Sequence, residues 1–247
     1  MRKAFILVEL LVVIGIIALL ISILLPVLGS ARSRAQQTVC MSNIRSNVQA
    51  VFIHAAEHRE RVPIGSASLS MQSSSWIRYT NGQTLVLFGQ LWETGVMKSA
   101  EAMYCPTQTN PLHVYDEAQW PGGEPQTDRV RPGYSMRPDF RIRYDDPTRR
   151  FIVDEITGTT LGRQDIGFPR IYHFREKAMI ADLLRDNRAV VGNHETGMSV
   201  GKGDGSVVYI LSGPYEVNLS ALPGTGGGFD NFNNLFIGPI WEEFDRG

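Results

Sequence analysis

Apolar residues are unevenly distributed along this chain. From Leu10 to Ala31 no charged side chain interrupts an apolar run, and a single acid, Glu9, stands at its leading edge behind Arg2 and Lys3. The stretch from Leu10 to Leu28 is 19 residues. As a helix rising about 1.5 Å per residue it reaches about 28 Å, close to the roughly 30 Å hydrocarbon core of a bilayer. Past Ser30 the pattern changes. Arg32, Arg34, Gln36 and Gln37 are polar, while Ala35, Val39, Ile44, Val48, Val51 and Ala55 recur at spacings of three to five, which predicts one apolar stripe on a continuing helix. No Gly or Pro interrupts from Ser30 to Val62, so one helix is predicted from Phe5 to about Ala56, on the order of 78 Å long. Its first part is predicted to cross a membrane at residues 10–28. Its second part needs a cover, which the remaining 61–247 must supply.

In that remainder the elements are short. Thr84 to Thr94 carries Leu85, Phe88 and Trp92 at helical spacing, with Gly95 as a stop. Arg149 to Ile156, Lys177 to Leu183 and Arg188 to Gly192 read as strands. Ser199-Val200 and Ser206 to Leu211 flank an Asp-Gly turn, a hairpin signal. Ser66 to Ser75, Pro121 to Pro138 and Gly224 to Asn234 read as loops or irregular structure. A long helix followed by short antiparallel strands predicts an α+β domain whose sheet packs on the helix stripe.

Arg2 and Lys3 place the leader in the cytoplasm and the bulk of the chain across the membrane by the positive-inside rule. A cleaved secretory signal is the alternative, with Leu28-Gly29-Ser30-Ala31 as a weak cleavage site. The run is longer than a usual signal core and lacks a polar gap before the next helical segment, which favours the anchor. Pro26 removes a backbone donor and crowds the Ser22 carbonyl, so a kink or loosening is expected there. Gly15 and Ser22 are small enough for close helix contact in lipid.

Ala4-Phe5-Ile6-Leu7-Val8-Glu9-Leu10 resembles the processing site of type IV prepilins and type II secretion pseudopilins. The resemblance implies a cytoplasmic leader at residues 1–4, cleavage between Ala4 and Phe5 by prepilin peptidase, and methylation of the new terminus. It further implies that Glu9 pairs with a neighbouring subunit's terminal amine during assembly, and that Pro26 bends the helix. The family usually has Gly before the cut, and Ala4 stands there instead. The expected location is the inner (cytoplasmic) membrane, single-pass, with an extracytoplasmic domain at 61–247. The expected partners are the peptidase and other pilin-like subunits. The stretch NHETGMSVGKGDGSVVYIL also resembles the C-terminal H-x9-DG motif of a planctomycete pseudopilin-like group, with His194, Asp204 and Gly205 in register. In that group a strand runs between the His and the Asp-Gly. Gly201 and Lys202 replace bulkier residues here, which predicts a short first strand.

Composition narrows the function class. With 24 basic and 25 acidic side chains the formal charge is −1, without the basic footprint of a nucleic-acid binder. Gly-x-Ser-x-Gly, P-loop and dinucleotide patterns are missing from the sequence. Asp145-Asp146 and Asp154-Glu155 are adjacent pairs, which on a strand point to opposite faces. The expectation is therefore a structural filament or secretion subunit and not an enzyme. The alternative is a membrane-anchored ligand-binding or hydrolytic domain carrying a prepilin-type leader. His194 and Asp204 lack the ligand count of a zinc site. Major pseudopilins bind calcium, and Asp182, Asp186 and Asp204 offer oxygens, but EF-hand spacing is lacking. No cofactor is assigned, and calcium ligands stay open. The two cysteines, Cys40 beside the stripe and Cys105 before Pro106, permit one disulfide in an exported domain or two buried thiols.

Overall fold

A computed structural model of the chain describes residues 7–63, 78–79, 84–85, 87–109, 111–118, 120, 130–137, 142–143, 152–154, 160–161, 170–182, 197–211, 241 and 244–246. The backbone forms two units, Met1–Thr38 and Val39–Gly247.

The first unit is helix. Helix α1 runs Leu7–Glu57 and stays helical through Pro26. The Ser22 hydroxyl, one turn before Pro26, donates to the Leu19 carbonyl at 2.7 Å. The large apolar side chains from Leu7 to Leu28 keep between 47% and 77% of their surface open. By length and composition this segment is able to cross a membrane.

In the second unit the last turns of α1 enter a core. The buried stripe is Cys40, Ile44, Asn47, Val48, Ala50, Val51, His54 and Ala55. This corrects the start of the predicted stripe: Ala35 is exposed and Val39 is 47% exposed. It also adds two polar members. Asn47 is tolerated because its Nδ2 donates to the Asn43 carbonyl at 2.8 Å and to the Ala102 carbonyl at 2.7 Å, and a buried amide needs such partners. Asn43 does the same for the Tyr104 carbonyl at 3.1 Å.

The strands are β1 (Arg78–Tyr79), β2 (Thr84–Leu85), β3 (Tyr134–Met136), β4 (Ile142–Arg143), β5 (Ile152–Asp154), β6 (Thr160–Leu161), β7 (Ala178–Asp182), β8 (Gly197–Lys202) and β9 (Val207–Leu211). The main sheet is four-stranded and antiparallel throughout, in the order β3-β7-β8-β9. It packs on α1. A Cβ built on Gly201 of β8 would stand 2.6 Å from Val48 Cγ2 and 2.7 Å from Ile44 Cγ2. Helix and sheet therefore meet where one side chain is missing. The class is α+β, with the sheet on the second part of the long helix.

Three predictions change. Thr84–Leu85 is strand, and helix α2 covers only Phe88–Glu93. It stops at Gly95, whose φ is +71° and whose N–H reaches the Trp92 carbonyl at 2.9 Å. Pro121–Pro138, read as irregular, contains β3. Strand β8 is six residues long, not short. Gly201 marks close approach of the helix, not an interrupted strand. The segments 66–75, 188–192 and 224–234 lie outside the described residues.

The C-terminal residues close the edge of the ladder. Arg137 meets both carboxylate oxygens of Asp245 at 2.6 and 3.0 Å, and the Ala178 N–H donates to the same carboxylate at 2.9 Å. Trp241 and Phe244 are fully buried beside them.

Candidate functional site

Glu9 lies in the first turns of α1, two residues inside its described start. An acid is favourable at a helix N-terminus through the backbone dipole. Ala4, Phe5 and the leader 1–4 lie outside the described residues, as do His194 and Asp186. The apolar surface after Glu9 gives this end of the chain its chemistry. It is long, exposed, and interrupted by two small residues, Gly15 and Ala18, and one hydroxyl, Ser22, before Pro26.

The Asp-Gly segment forms the turn of the β8–β9 hairpin. Gly197 pairs with Leu211 and Gly201 with Val207. Asp204 Oδ1 accepts the Ser206 N–H at 2.8 Å, and the Ser206 side chain first and this N–H second hold its carboxyl below the usual carboxylate range. Gly205 has φ +88°, the left-handed region that favours glycine. Lys202 N–H bonds to the Ser206 carbonyl at 2.9 Å and Gly205 N–H to the Lys202 carbonyl at 3.0 Å. Gly203 lies against the Phe174 carbonyl with no room for a side chain, and its N–H donates to the Lys177 carbonyl at 2.9 Å. Turn formation and docking thus account for Asp204, Gly205 and Gly203.

Cys40 and Cys105 are joined as a disulfide with Cα atoms 5.4 Å apart. Both are buried. Asp182 of β7 is fully buried beside them, and one of its oxygens lies within 4.8 Å of both sulfurs. Asp182 Oδ2 accepts the Ser199 N–H at 2.6 Å. Burial nonetheless pushes its carboxyl up to about 7, because desolvation disfavours the charged form. Asp182 and Asp204 do not share a calcium site: one is inside the core and the other exposed in a turn. Among the described residues, the only three potential metal ligands whose atoms already converge are Cys40, Cys105 and Asp182, and the bond between the sulfurs occupies two of them.

A second locus escaped the sequence reading. His54 and His58, four residues apart at the end of α1, line a cleft of about 550 Å³ together with Glu57 and with Glu93 of α2. The signal was present as His54-Ala55-Ala56-Glu57-His58.

No family model, curated protein or solved structure matches the chain.

Proposed function

We propose that this chain is a pseudopilin-like structural subunit of a type IV pilus or type II secretion-like filament. The observation that carries this reading is the division of labour along α1. Its first part presents apolar surface on all sides behind one acid, and its second part is built into the core of an α+β domain. An apolar surface of that length needs a non-aqueous partner. Lipid before assembly and neighbouring helices afterwards supply one. In this reading prepilin peptidase removes residues 1–4 at the inner membrane, and the domain beyond residue 61 is extracytoplasmic. Glu9 pairs with the terminal amine of the adjacent subunit, a contact strengthened by the low dielectric of the filament core.

The test is mass analysis of the N-terminus of protein recovered from membranes. The expected peptide begins at Phe5 and is about 14 Da heavier than the unmodified one, the mass of one methyl group. A terminus near Ser30 would replace this reading with a cleaved secretory signal. An uncut Met1 terminus would leave a membrane-anchored domain.

A further inference from the structure

The chain leaves α1 abruptly. After Glu57 it turns through Arg59 and Glu60, both with positive φ, 55° and 65°. The Glu60 carbonyl then accepts the Ile171 N–H at 2.8 Å. This fixed corner carries two histidines. Residues four apart lie one above the other on a helical face, and the His54 and His58 rings stack 3.9 Å apart, 7° from parallel.

Each ring is prepared differently. His58 Nδ1 is 2.9 Å from the His54 carbonyl oxygen. Facing an acceptor, that nitrogen carries a proton, so Nε2 is the nitrogen able to offer a lone pair. A ring nitrogen held by a backbone carbonyl is the usual outer support of a metal-binding histidine. His54 is only 6% exposed, and its Nδ1 has no hydrogen-bond partner among the described residues. Burial first and the neighbouring His58 second push its pKa below the ordinary value, which favours the neutral ring. Neutral imidazole is the ligating form.

The rest of the cleft supplies a third donor and balances charge. Glu93, at the end of α2, is exposed and lines the same cleft as the two rings. Glu57 and Glu93 match Arg59 and Arg61 around the same cleft, so an incoming cation meets no excess of positive charge. The spacing His-x-x-Glu-His is one that zinc-dependent hydrolases use on a helix.

We propose that His54, His58 and Glu93 bind one divalent transition-metal ion of the zinc class, joining the end of α1 to the end of α2. Two imidazoles and a carboxylate make the three-ligand set that leaves a fourth position for water. The inference concerns binding and is independent of the filament reading.

The probe is Co²⁺, followed by Zn²⁺, titrated into the full chain in detergent after purification on a tag without histidine. One equivalent of Co²⁺ should give visible absorption bands of low-symmetry nitrogen and oxygen coordination, and Zn²⁺ should abolish them. His58→Gln and Glu93→Gln should each weaken binding by about tenfold or more, since each removes one of three ligands. Far-UV circular dichroism should be unchanged in both, because both side chains are exposed. His194→Gln should bind as wild type does. The proposal is overturned if the wild-type chain gives no saturable Co²⁺ signal, if His58→Gln binds as tightly as wild type, or if the signal follows His194.

Discussion

Asp182 has the most unusual environment among the described acids. It sits in the core on β7, holds the Ser199 N–H, and adjoins the disulfide. Its folded-state pKa, about 7, is raised above that of an unfolded aspartate, near 3.9. A raised pKa means that the folded state favours the protonated form. The resulting stabilisation is complete below about pH 4 and is lost as pH rises through about 7. Wild-type protein is therefore expected to melt at a lower temperature at pH 8 than at pH 5. Asp182→Asn keeps an acceptor for Ser199 and removes the titration, so its melting temperature should exceed wild type at pH 8 and change less between the two values. Equal pH slopes for the two proteins would refute the assignment.

At the scale of elements, the helix–sheet contact depends on an absence. Val48 and Ile44 present their Cγ2 atoms where a Cβ at position 201 would stand, and β-branched side chains have little rotameric freedom on a helix. Gly201→Val should cost about 1–3 kcal/mol by overpacking, measured as a lower urea midpoint with unchanged slope. Gly201→Ala should cost less. This contact shows why some elements were legible in the sequence and others were not. Helix α1 was read to within a residue of its end because its apolar period is sustained over many turns. The hairpin followed from Asp204-Gly205, where the turn chemistry is local. Strand β7 fell inside the predicted 177–183 and β5 inside 149–156. Strand β3 was missed because it has only three residues, all buried, and so lacks the alternation that marks a half-exposed strand. Asn47 and His54 were missed as members of the stripe because their burial depends on carbonyls and packing from distant segments. The strand at Thr84–Leu85 was hidden by a helical spacing that began too early.

For the molecule as a whole, the disulfide governs how the chain carries load. The boundary between the two units falls after Thr38, and Cys40 lies two residues beyond it. Tension applied through the N-terminal helix thus reaches a covalent link almost as soon as it enters the second unit. Through Cys105 the load passes on toward the C-terminus, and the Ala102 and Tyr104 carbonyls that Asn47 and Asn43 hold lie inside the shielded loop. The hydrogen bonds and apolar contacts of the described residues between the two cysteines are bypassed, so the part of α1 beyond Cys40 is not peeled from the sheet turn by turn. In single-molecule extension between the termini, the oxidised chain should unfold with the 65-residue span between the cysteines missing from its contour. Reductant should release about 230 Å more, at about 3.6 Å per residue. An identical contour with and without reductant would mean that the thiols are unbonded in the protein under load. With the bond intact, a chain pulled by its N-terminal helix behaves as a tethered weight on a short line, and the end of α1 beyond Cys40 gives way only after the remainder has yielded or the tether has been cut.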